Sequence, residues 1–108
     1  MTTTEQVNRP RAEKPMTRIV LMQALANRFP GMFLKTTEEF GTAAGGIWTV
    51  AEGEAPEDDG LPIFSNEAMV DGWAGYDCGV LNTFSEYLLY HGWFAEWYDG
   101  GTMMLWRV

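Results

Sequence analysis

Cys78 and His91 are the residues whose types would suit nucleophilic catalysis, a thiol and an imidazole base, and each is the only one of its kind in the chain. Helical spacing of the residues between them predicts one continuous helix from about Asp77 or Cys78 to His91. At 1.5 Å rise per residue the two groups then stand about 20 Å apart, too far for a thiolate–imidazole pair. Asp77 beside the thiol opposes its ionisation. His91, next to a helix end, reads as a cap for the helix dipole. Glu86, Glu96 and Asp99 would supply carboxylates for acid–base work, but their spacing singles out no pair. Glycines at 41, 45 and 46 lack the Gly-Lys-Ser/Thr ending and the following helix of a phosphate loop, so they read as loop flexibility. With one cysteine there is no intramolecular disulfide and no cysteine-based zinc site. No metal or cofactor motif appears, and the expectation is a protein that is not an enzyme.

The strongest chemical signal is charge. The net charge is −8, and six of the seven Lys and Arg fall in the first 35 residues. From Thr36 to Trp106 there is no Lys or Arg, whereas thirteen Asp and Glu occur there. Such a body repels nucleic acid and anionic membranes and attracts cationic protein surfaces. Five carboxylates crowd Glu52–Asp59, at Glu52, Glu54, Glu57, Asp58 and Asp59. Pro56 and Gly60 make that run an exposed loop. It lacks the ligand spacing of an EF-hand and reads either as a solvated charged loop, the commonest fate of such a run, or as a recognition loop for Arg or Lys on a partner. Thirteen carboxylates match the charge of about 22 Å of duplex, so DNA mimicry is partial at most.

The elements that position these groups follow from periodicity. Residues 1–15 are polar, contain two prolines and form a disordered arm; residues 16–108 form a single domain. Leu21, Met22, Leu25 and Phe29 make a helical stripe from about Thr17 to Phe29, stopped by Pro30-Gly31. Met32–Thr36 and Ile47–Val50 read as strands joined by a glycine-rich loop, with Thr37–Phe40 as a turn. Ser65 or Asn66 caps a short helical turn through Val70. Trp73 and Tyr76 sit in an irregular, glycine-punctuated stretch, where rings either cover the core or anchor a partner. The helix ending before Gly92 leads into Trp93–Asp99 and Thr102–Arg107, a β-hairpin about Asp99-Gly100-Gly101. The order α-β-β-α-β-β gives an α+β fold, a four-stranded antiparallel sheet with two helices on one face. Both faces of the last hairpin carry aromatic rings, which points to the open face as a contact surface. The longest apolar run, Ile19–Met22, is too short to span a bilayer, and the single cysteine fits a cytoplasmic setting.

Between about residues 25 and 107 the chain resembles small acidic proteins encoded by phages and prophages. The resemblance rests on Phe29-Pro30-Gly31, Gly45-Gly46-Ile47-Trp48-Thr49, Gly60-Leu61-Pro62 and His91-Gly92-Trp93-Phe94-Ala95-Glu96-Trp97-Tyr98-Asp99. It implies an accessory gene product of the host cytoplasm and supplies no catalytic residue. By analogy with anti-CRISPR and antirestriction proteins, it implies an inhibitor of a nucleic-acid-handling defence protein. The expected partner is the basic surface of a host protein or protein–RNA complex, with no direct contact to nucleic acid or membrane. The residues expected to meet it are Glu52, Glu54, Glu57, Asp58, Asp59, Trp73, Glu96 and Asp99. The competing expectation is a structural or assembly protein that forms a homodimer through its aromatic sheet face.

Overall fold

Leu21 and Leu25 fall four residues apart on one face of α1 (Arg18–Arg28), and both are fully buried. That stripe is what makes the segment a packed helix, and Pro30-Gly31 ends it. The computed structural model describes residues 12–108, so most of the expected disordered arm lies outside the described residues. Of its remainder, Lys14 donates its backbone N–H to the Tyr90 carbonyl at 3.0 Å, and Met16, just past the arm, donates to that of His91 at 3.0 Å.

Four strands build the main sheet: β1 (Lys35–Thr36), β2 (Ile47–Val50), β7 (Trp93–Asp99) and β8 (Thr102–Arg107). Their order is β1-β2-β8-β7 and every pairing is antiparallel, giving the α+β architecture read from the sequence. Ile47 lies opposite Leu105, which lies opposite Ala95, so one face carries a row of apolar side chains. Trp93, Met103, Leu105 and Ile47 of that face meet Leu21 and Leu25 of α1 and Phe84 and Leu88 of α4 (Asn82–Tyr90) in one core. Trp93 is fully buried and its indole N–H donates to Met16 O at 2.9 Å. Truncating it to Ala costs on the order of 4 kcal/mol.

Three local expectations are corrected. The helix expected from Asp77 begins at Asn82, because β5 (Tyr76–Asp77) and β6 (Val80–Leu81) form a hairpin around Cys78-Gly79. Both turn residues have positive φ, +49° and +78°, as a two-residue turn of this hand requires. Gly79 is fixed twice over, since a Cβ there would lie 2.6 Å from Ser65 O. Second, Thr37–Phe40 is a one-turn helix, α2, and not a simple turn. The Glu39 carboxylate accepts the Thr36 N–H at 3.1 Å, the pairing of a capping box. Third, the strand expected over Met32–Thr36 is ordered as a strand only at Lys35–Thr36.

The sheet face away from α1 and α4 is not bare. The Phe40 ring of α2 packs edge-on against Trp48 of β2 and Tyr98 of β7, with centroids 4.8 and 4.9 Å apart. It thereby bridges over β8, where Met104 is buried. Phe33 closes on Trp48 from another side. Phe94 and Tyr98 stay exposed on the open edge strand.

Candidate partner-binding surface

The acidic run folds as a small braced hairpin. Its arms are β3 (Glu54–Ala55) and β4 (Leu61–Pro62), with a 3-10 turn at Pro56–Asp58 between them. Ala55 is buried and anchors it, while Asp59 takes a left-handed φ of +58°, which Asp tolerates. Two carboxylates hold the hairpin to the body. Glu57 receives the Arg28 guanidinium at 2.9 Å, and that guanidinium also lies 4.6 Å over the Tyr87 ring. Asp58 accepts the Thr83 hydroxyl at 2.6 Å. A cleft of about 150 Å³ between Arg28, Asp58 and Thr83 marks the seam. Glu52, Glu54 and Asp59 are exposed and make no side-chain hydrogen bond or ion pair among the described residues.

Trp73 belongs to the same neighbourhood through Tyr76. Its ring meets Tyr76 edge-on at 5.8 Å, and the Tyr76 hydroxyl donates to Pro62 O of β4 at 2.6 Å. Burial pushes the Tyr76 pKa up, and the nearby Asp58 charge adds to the rise. Trp73 follows the short helix α3 (Asn66–Asp71), whose first turn is capped by Ser65 Oγ accepting the Ala68 N–H. Gly72, at φ +65°, ends that helix.

Glu96 and Asp99 stand apart from this cluster, on β7. Glu96 is exposed opposite Met104, and with Asp77 it lines a cleft of about 380 Å³ at the open sheet edge. Asp99 serves the turn, its Oδ1 accepting the Gly101 N–H at 2.9 Å. Residue alternation along β5 turns Tyr76 toward the acidic hairpin and Asp77 toward the Glu96 cleft.

Cys78 and His91 do not share the one helix expected for them. Cys78 is an exposed thiol in the β5–β6 turn, not at a helix start, and its carbonyl accepts the Trp97 indole N–H at 2.7 Å. His91 is buried at the end of α4, its Nδ1 donating to Lys14 O at 2.6 Å, so it fastens the chain entering α1. Among the described residues no group of three or more His, Cys, Asp or Glu gathers as for a metal ion. No helix among them is long and apolar enough to cross a membrane.

Sequence reasoning missed Arg28 and Thr83 as the braces of the acidic hairpin. Both pairings span 25 or more positions, so no local pattern announces them. No protein-family model matches the chain, and neither a curated protein nor a solved structure matches it.

Proposed function

We propose that the chain is a non-catalytic accessory protein of the phage type that binds and inhibits a nucleic-acid-handling host protein through its anionic surface. One observation carries the reading: Thr36–Trp106 contains no Lys or Arg, and among the described residues Glu54 and Asp59 on the braced hairpin, with Glu52 just before it, remain unpaired. Bracing by Arg28 and Thr83 lowers the ordering cost of binding, which favours a recognition role over that of a merely solvated loop. The partner is a cationic protein surface in the cytoplasm, and mimicry of DNA is partial.

Affinity capture from host lysate tests this. The protein is expected to retain a nucleic-acid-handling partner that elutes as salt rises and that the Glu52→Gln/Glu54→Gln/Asp59→Asn variant fails to retain. Retention by the variant, or elution indifferent to salt, overturns the proposal.

A second reading, self-association through the sheet, is favoured by exposed Phe94 and Tyr98 on the open edge of β7. Light scattering across concentrations separates it. A monomer at every concentration removes it, and a dimer abolished by Phe94→Ser supports it.

A further inference from the structure

The four-stranded sheet ends in two edges that differ in kind. At β1 the strand is two residues long, and the Thr36 N–H is taken by the Glu39 carboxylate at 3.1 Å. At β7 the strand is seven residues long and carries neither Lys nor Pro, residues that commonly blunt an edge. Its register with β8 is regular from Trp93 to Trp97 and shifts only between Trp97 and Asp99.

The phase of the ladder fixes which groups face outward. The Val108 N–H donates to Gly92 O at 2.9 Å, one step beyond the pairing of Trp93 with Arg107. Hydrogen-bonded pairs alternate in an antiparallel ladder, so Phe94 and Glu96 turn their backbone groups to β8. Ala95 and Trp97 turn theirs to the free edge, where no backbone hydrogen bond reaches them among the described residues. The other side of β8 agrees. The Ala51 N–H donates to Gly101 O at 2.9 Å, which puts Met103 and Leu105 in the bonded phase with β2.

This edge borders the cleft of about 380 Å³, whose lining includes Val80 of β6, Leu89 of α4 and Phe94, with Asp77 and Glu96 as its charged residues. The Trp97 indole, donating to Cys78 O at 2.7 Å, ties the β5–β6 turn to the strand, so the far wall of the cleft is fixed to β7. A strand added here places alternate side chains on opposite faces. Those beside Ala95 and Trp97 lie on the face of Val80 and Leu89, which suits apolar groups. Those beside Phe94 and Glu96 meet an exposed ring and a carboxylate, which suits Arg or Lys. A second copy is the poorer occupant, because its body from 36 to 106 has no Lys or Arg to set against Glu96 and Asp77.

We propose that the free edge of β7 takes an extended segment of the partner protein as a fifth, antiparallel strand, with basic residues beside Phe94 and Glu96 and apolar residues beside Ala95 and Trp97. This rests on the anionic-binder reading above and names the partner's chemistry and its mode of docking.

The test is fluorescence anisotropy with a labelled nine-residue peptide alternating arginine and valine. It is compared with a glutamine–valine peptide and with two versions N-methylated at the valines or at the arginines. The valine N–H groups face β7 in this register, so methylating them is expected to weaken binding about tenfold or more, and methylating the arginines to change it little. The glutamine peptide is expected to bind at least about tenfold more weakly, and Glu96→Gln to weaken the arginine peptide about threefold at unchanged Tm. Amide exchange at Ala95 and Trp97 is expected to slow when the arginine peptide is added. Equal binding of the two methylated peptides, or no slowing at those amides, overturns strand addition; if the Glu52/Glu54/Asp59 variant still loses the peptide, the anionic-binder reading stands. If the glutamine peptide binds as well as the arginine peptide and no carboxylate variant alters binding, both fall. Slow exchange at Ala95 and Trp97 before any peptide is added overturns the choice of occupant, in favour of a second copy where light scattering shows a dimer and of residues 1–11 where it shows a monomer.

Discussion

Two carboxylate-rich regions of this small domain use the same residue types to opposite ends. Around α2, Glu38 receives the Arg18 guanidinium at 2.6 Å and stands 3.4 Å from the Gly45 N–H. The Arg18 contact, with backbone N–H groups helping, pulls its pKa from an ordinary 4.5 down to about 2. Glu39, accepting from the Thr36 backbone and hydroxyl, is lowered in the same direction. Those carboxylates are spent on the fold. On the acidic hairpin and α3, Glu52, Glu54, Asp59, Glu67 and Asp71 have no cation or hydrogen-bond donor among the described residues. Acidic composition alone does not separate the two regions; what separates them is whether the fold engages the carboxylate.

The sharpest way to break the comparison is at Gly46, on the engaged side. A Cβ there would stand 2.6 Å from the Trp106 ring and 2.9 Å from Leu105 O. Gly46→Ala is expected to lower stability by about 3 kcal/mol in urea denaturation, since backbone and ring cannot both give way. Next comes Thr37, fully buried, whose Oγ1 accepts the Gly46 N–H at 3.0 Å and lies 3.3 Å from both Gly46 O and Glu38 Oε1. Thr37→Ala leaves those groups short of a partner and is expected to cost about 2 kcal/mol by the same assay.

Acid offers a gentler probe of the same region. A carboxylate whose folded pKa is depressed adds stability above its unfolded pKa, and that stability is lost as pH falls through the folded value. For Glu38 the window runs from about 4.5 down to about 2. The protection factor of the Gly45 and Gly46 amides, their exchange corrected for the intrinsic rate at each pH, is expected to fall across that range in the wild type. In Glu38→Gln it should be low already and flat with pH. A wild-type profile without that acid-dependent fall would refute the clamp.

The smallest effect is expected where the carboxylates are free. Glu52→Gln/Glu54→Gln/Asp59→Asn should change stability by no more than about 0.5 kcal/mol, and Asn keeps the left-handed turn at 59 accessible. A loss of several kcal/mol would mean that these residues hold the fold, erasing the contrast.

The legible parts of the fold were those written in local periodicity. α1, strand β2 and the hairpin of β7 and β8 each declare themselves through spacing and punctuating glycine or proline. The β5–β6 hairpin was obscured because Val80, Leu81, Phe84 and Leu88 continue the stripe of α4 backward, and its turn is imposed by the approach of Ser65 to Gly79. α2 could have been found, since Thr36 and Glu39 have capping-box spacing, but the cover it gives Trp48 through Phe40 depends on tertiary structure. The charge asymmetry was wholly legible. Which carboxylates remain free was not, because Arg28 and Thr83 reach Glu57 and Asp58 from distant parts of the chain.

The claim that the free carboxylates serve a partner and not the fold is tested most directly by partner affinity, wild type against the Glu52/Glu54/Asp59 variant, at about 50 mM and about 300 mM ionic strength. The account predicts tight wild-type binding that falls steeply with salt, and weak, salt-insensitive binding by a variant of unchanged Tm. Equal affinities for the two proteins at both ionic strengths would contradict it.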